Sequence, residues 1–153
     1  MDLILWRHAE AELLQPGQGD LERALTSKGE RQARRMAAWL NARLAESTRI
    51  IVSPALRTQQ TAAALERKFK TVASIAPDRS VDELLVGAGW PGADLPVLVV
   101  GHQPALGMAA ARLLCGADQP WAMKKAAVWW LRLREREGEA QVTLHAVQTV
   151  DAL

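Results

Sequence analysis

Arg7 and His8 follow directly on the apolar run Leu3-Ile4-Leu5-Trp6. A guanidinium presents a planar fork of donors suited to phosphate or carboxylate. An imidazole is a nitrogen nucleophile or a proton carrier near neutral pH. Two further basic groups repeat the placement. Arg57 comes three residues after Pro54, which closes Ile50-Ile51-Val52-Ser53, and His102 follows Pro96-Val97-Leu98-Val99-Val100-Gly101. Each apolar run delivers a basic group at or just past its carboxyl end, where open α/β sheets hold their ligands. If the strands are parallel, two guanidiniums and two imidazoles converge on one rim. They would repel one another unless an anion sat among them, and a phosphoryl group has the oxygens that forked donors hold.

The elements that must position these residues are legible in outline. Residues 3–6, 50–52 and 96–100 read as continuous, doubly buried strands. A helix is expected after Thr26 or Ser27, with Ser27 and Glu30 at capping-box spacing and Ala33, Met36, Ala37, Leu40 and Leu44 on one face. Arg31, Arg34, Arg35 and Arg43 fall largely elsewhere on that wheel and read as a solvated face. Further helices are expected from Thr58 to Phe69 and from Pro104 to Leu114. A third strand is expected at Val72–Ile75. Residues 77–94 read as loop with one helical turn at Val81–Leu85. Two last strands, Ala126–Leu133 and Ala140–Val147, are joined by a polar turn over 134–139 containing Gly138. Strands alternating with helices predict a three-layer α/β/α sandwich on a mainly parallel sheet.

The chain has 153 residues, 49% of them hydrophobic and 24% charged, with a net charge of +2. That length fits one domain, 1–153, with one core. The charge balance does not call for nucleic acid. A single cysteine, Cys115, leaves no disulfide framework or Cys-rich zinc site and reads as helix packing. No apolar stretch approaches the ~18 residues of a membrane span. The start of the chain lacks a charged leader and a cleavage site, which predicts a cytoplasmic protein.

Taken together, Arg7-His8-Ala9, Leu25-Thr26 with Gly29, Ser53-Pro54 with Arg57 and Gln60-Thr61, and Val100-Gly101-His102 resemble the histidine phosphatase superfamily. The short length and the wording of residues 100–107 resemble its SixA-type phosphohistidine phosphatase branch. The resemblance implies a phosphoglycerate-mutase-like fold and a phosphatase. His8 would be the nucleophile and form a phosphohistidine intermediate, its other ring nitrogen donating to a backbone carbonyl. Arg7, Arg57 and His102 would hold the phosphoryl oxygens. No metal or other cofactor is implied, and the partner would be a phosphorylated protein or a small phosphate ester. His145, alone in the last strand, reads as packed or surface structure.

The general acid is the open position. Glu83 stands roughly where broader family members carry one, with Glu10 and Asp82 as rivals. An imidazole leaving group, with a conjugate-acid pKa near ~6.5, needs little protonation, whereas an alkoxide needs a donor. A clear acid would thus favour alcohol phosphates and a missing one phosphoramidates, and the resemblance to the SixA-type branch implies phosphohistidine in a signalling protein as the leading substrate class. A small phosphomonoester is the alternative, and a non-catalytic phosphoprotein-binding module is a third reading that an intact His8 disfavours. The segment Val86–Pro96 is short where relatives often carry a helical insertion, which predicts an open site able to admit a protein surface. Lys124 or Lys125 could reach an anionic substrate, although an exposed strand lead-in is the plainer reading.

Overall fold

A computed structural model describes residues 1–153. Six strands form one sheet: β1 (Asp2–Arg7), β2 (Arg49–Val52), β3 (Lys70–Thr71), β4 (Val97–Gly101), β5 (Val128–Arg136) and β6 (Glu139–Gln148). Their spatial order is β3-β2-β4-β1-β5-β6. The first four run parallel, with Leu3 opposite Val97 and Ile50 opposite Leu98. β5 pairs antiparallel with β1, and β6 antiparallel with β5. The sheet is thus mixed, its parallel part carrying the three expected strand ends.

Helices α1 (Ser27–Asn41) and α2 (Leu56–Ala63) cover one face, and α3 (Val81–Ala88) and α4 (Ala105–Cys115) the other. Side-chain alternation divides β1 between two cores. Ile4 and Trp6 pack with Met36, Leu40 and Ala62, while Leu3 and Leu5 pack with Leu84, Leu106 and Ala110. Burial on both faces is why the run reads as continuous rather than alternating.

Several elements differ from the sequence expectation, each for a local reason. α2 starts at Leu56 and ends at Ala63, because Glu66 adopts a left-handed φ of 55° that a continuing helix excludes. Leu65 and Phe69 still reach the core from the loop. The expected strand Val72–Ile75 is a short 3₁₀ turn, Ala73–Ile75, preceded by the two-residue β3. The ladder bond from Val72 N–H to Val52 O marks the end of pairing, and the turn buries Ile75. α3 runs two turns rather than one. Ser80 caps it, and Gly89, at φ 72°, closes it in the left-handed conformation favoured by glycine at a helix end. The β5–β6 hairpin is tighter than 134–139: only Glu137 and Gly138 lie outside the strands, both at positive φ, as a two-residue hairpin turn requires. Cys115 is exposed rather than packed. No helix is long and apolar enough to cross a membrane.

Candidate active site

β1, β4 and β2 are neighbours and parallel, so their carboxyl ends open on one edge with β4 in the middle. His8 continues β1. Its N–H donates to Gly101 O at 3.1 Å, and its carbonyl accepts from Ala126 N–H at 3.1 Å. The nucleophile candidate is therefore fixed between β4 and the lead-in to β5. The next residue is tied to α2, where Ala9 N–H donates to Thr61 Oγ1 at 3.1 Å and Thr61 Oγ1 donates to Arg57 O at 2.7 Å. Gln60 Oε1 accepts from Leu25 N–H at 2.7 Å. The Gln60-Thr61 pair thus joins the two loops that face the strand ends.

Arg7, His8, Arg57 and His102 line one cavity of about 300 Å³. The rings of His8 and His102 lie 5.3 Å apart, centre to centre. His8 Nδ1 is 2.7 Å from Ala9 O. A carbonyl can only accept, so Nδ1 carries the hydrogen and the Nε2 lone pair is left free. His102 Nε2 is 2.7 Å from Ser53 Oγ, a buried hydroxyl at the end of β2 that also accepts from Ala55 N–H at 3.2 Å. Arg57 is 4% exposed and directs two guanidinium nitrogens at Asp20, one to its carbonyl at 2.9 Å and one to its carboxylate at 3.1 Å. Arg7 donates to Met123 O at 2.7 Å.

Both imidazoles are held neutral. Burial, followed by the charges of Arg57 and Arg7, outweighs the Ala9 hydrogen bond and pulls His8 down to about 4. Burial, then Arg57 and His8, pulls His102 down to about 3. Arg7 Nε, Arg57 Nε and His102 Nδ1 are buried without a partner. All three belong to residues that line the cavity, where polar groups without a partner are a mark of function.

Residues 3–94 match the histidine phosphatase superfamily (branch 1). The chain belongs to that superfamily. Phosphohistidine phosphatase SixA of Escherichia coli (strain K12) is 32% identical over 131 residues, covering 78% of this chain and 78% of that protein. A solved structure of the protein histidine phosphatase SixA complexed with tungstate superposes with a TM-score of 0.79 at 26% identity, over 99% of both chains. A phosphoserine phosphatase variant from Entamoeba histolytica in complex with phosphoserine gives a TM-score of 0.71 over 99% of this chain and 98% of its own. At 17% identity it shows a shared fold alone. The chain is a phosphatase.

The carboxylates fall differently from the sequence expectation. Glu83 does not line the cavity. It completes the capping box of α3, its Oε1 accepting from Ser80 Oγ at 3.2 Å, and it pairs with Arg79 at 3.2 Å. The capping role follows from Ser80-x-x-Glu83, a helix-start signal legible in the sequence. Asp82 pairs with Arg112 on the surface. Glu10 accepts from Thr26 Oγ1 at 2.8 Å and faces a neighbouring groove. The carboxylates that do line the cavity are Asp20 and Asp78. Burial alone would raise the Asp20 carboxyl, but hydrogen bonds and charge from Arg23 and Arg57 hold it below the usual carboxylate range. Sequence reasoning missed Asp20, Arg23, Ser53 as a partner of His102, and Asp78. Asp20 opens a short 3₁₀ turn, Asp20–Glu22, that Arg23 ends, and Asp78 sits in a loop; none carries a periodic signal, and only Ser53 lay inside a recognised motif. Of the two lysines, Lys125 lines the cavity, whereas Lys124 pairs with Asp151 at 2.7 Å.

Proposed function

We propose that the protein dephosphorylates phosphohistidine in a protein substrate, through a phosphohistidine intermediate on His8. His8 Nε2 attacks phosphorus in line with the departing nitrogen. The new N–P bond forms as the substrate N–P bond breaks, and the substrate ring, protonated on its other nitrogen, leaves as neutral imidazole with the electron pair of the broken bond. Arg7 and Arg57 balance charge on the three equatorial oxygens, and the neutral His102 adds a hydrogen bond. Water then attacks the phosphorus on His8, its proton passes to solvent, and orthophosphate and neutral His8 are restored. The observation that carries this reading is the free, neutral Nε2 of His8 beside the Arg7 and Arg57 cations, its tautomer set by Ala9. The leaving-group class is supported by the state of Asp20. Its carboxylate is bound by two arginines and held ionised, so it has no proton to deliver at neutral pH.

Asp78 supports a second reading, a small-molecule phosphomonoesterase. It is the other carboxylate at the cavity and could protonate an alkoxide. The two readings separate on one pair of variants. Asp78→Asn is expected to leave phosphohistidine turnover near normal. Under the phosphomonoesterase reading it slows alcohol phosphates by the ~10²–10⁴-fold typical of acid catalysis. Glu83→Gln, removing the acid expected from sequence, is the control and should affect both substrate types equally and little. His8→Asn should abolish turnover of both, and trapping of the wild type should give acid-labile, base-stable phosphate. Label on a serine would overturn the nucleophile assignment.

A further inference from the structure

A second concavity adjoins the His8 cavity and shares Arg7 and Lys125 with it. This groove, of about 890 Å³, lies between one flank of α1 and the segment leading into β5. Its cations are Arg7, Lys28, Arg31, Arg35, Lys124 and Lys125, and its carboxylates are Glu10 and Asp151. The lining therefore carries an excess of four positive charges, while the whole chain carries +2. Both carboxylates are engaged, Glu10 by Thr26 and Asp151 by Lys124. Lys28, Arg31 and Lys125 form no ion pair. The arginines that read from the sequence as a merely solvated face thus include two, Arg31 and Arg35, aligned with Lys28 along one stripe at helical spacing.

We propose that this groove docks an acidic stretch of the phosphoprotein substrate, next to the residue whose phosphoryl group enters the His8 cavity. The inference rests on the protein-phosphatase reading above and names its specificity. Arg7 belongs to both concavities, so one extended chain can occupy them together. Lys28 to Arg35 spans seven residues of helix, about 10 Å at ~1.5 Å per residue. That length faces roughly three residues of extended chain at ~3.3 Å each, so the groove recognises about three consecutive positions on one side of the phosphorylated residue. The lining contains no aromatic side chain, which removes the stacking platform that single-stranded nucleic acid uses and favours a peptide.

The test uses the whole chain and two short phosphohistidine peptides, one with flanking glutamates and one with glutamines in their place. Wild type should favour the acidic peptide by about tenfold in kcat/KM, through KM, as a few screened charge pairs allow. Lys28→Gln with Arg31→Gln should erase that preference. The double variant should leave the neutral peptide and para-nitrophenyl phosphate unchanged, which also reports an intact fold. Equal kcat/KM for the two peptides in the wild type overturns the groove and leaves the phosphohistidine reading standing. Binding of the unphosphorylated acidic peptide is followed in parallel by fluorescence anisotropy. If neither phosphopeptide is hydrolysed, yet this binding is present and lost in the double variant, the substrate reading fails and the groove survives. Tighter binding of oligothymidine than of the acidic peptide would overturn the proposal in favour of nucleic acid.

Discussion

At the scale of single residues, the cavity is defined by the groups that engage its cations. Arg57 is almost wholly buried and bonded to both the carbonyl and the carboxylate of Asp20. A phosphoryl oxygen held by the same guanidinium would compete with this carboxylate. The carbonyl bond orients Arg57 independently of the carboxylate, so orientation and charge can be separated by substitution. Asp20→Asn keeps the carbonyl and removes the negative charge. Orthophosphate and tungstate should then inhibit more tightly, by about threefold. The effect stays modest because Asp20 is half exposed and screened. An inhibition constant that is unchanged or weaker would show that Asp20 serves only to hold Arg57. Ser53 holds the second imidazole in place: its buried hydroxyl meets His102 Nε2 at 2.7 Å and fixes the orientation of the ring.

At the scale of elements, the chain after β1 is clamped from both sides. Thr26 caps α1 by accepting from Gly29 N–H at 2.9 Å, and its own N–H donates to Glu10 O at 3.0 Å. Gln32, one turn on, accepts from Glu10 N–H at 2.9 Å. The first turn of α1 therefore lies against the backbone two residues past His8. Gly29 is required there because a Cβ would collide with the Glu10 carbonyl oxygen. Gly29→Ala should lower stability by about 1–3 kcal/mol, as overpacking typically does, and should also reduce turnover by displacing His8. Urea unfolding and steady-state rates check both. Gly92→Ala is the matched control, since nothing lies within 4 Å of its added methyl and its φ is not left-handed. α1 was legible in the sequence because the Thr26 cap, Gly29 and the apolar stripe agree, although Ser27 is already the first helical residue and the expected Ser27–Glu30 capping box does not form. The end of α2 was not: Leu65 and Phe69 keep helical spacing while packing on the core from a loop.

At the scale of the whole molecule, sheet order determines the electrostatics. β4 inserts between β1 and β2 and brings His102 beside both His8 and Arg57. Two imidazoles and two guanidiniums then share a poorly solvated site, and both imidazoles respond by staying neutral. The linkage has a definite sign. Below the ordinary histidine value of ~6.5 the unfolded chain binds protons at both positions, while the folded chain does not until about 4 for His8 and about 3 for His102. Stability is therefore complete above ~6.5 and falls as pH drops toward 4, with a slope of up to ~1.4 kcal/mol per unit for each histidine. Urea titrations at stepped pH should show that slope halved in His8→Asn. Stability independent of pH between 4 and 6.5 would contradict neutral burial of the pair. For the same reason, the acid limb of kcat/KM should lie well below 6.5, because the free enzyme keeps His8 unprotonated and nucleophilic.

What the sequence determined by itself is local in character. A continuous apolar run followed by Arg-His or Gly-His states a buried strand and the group at its end, whatever the rest of the chain does. The alternation of such runs with capped helices was sufficient for the fold class and for the convergence of His8, Arg7, Arg57 and His102 on one cavity. Tertiary structure alone decided which carboxylates meet them. Asp20 reaches Arg57 across 37 residues, from a short 3₁₀ turn without periodicity. Asp78 arrives at φ 67° between two short elements. Glu83, at a plausible sequence position, spends its carboxylate on its own helix. Strand ends are positioned by a ladder whose register is written in hydrophobic pattern. A loop carboxylate is positioned by the contacts it happens to find in three dimensions, and no spacing rule in the chain encodes those.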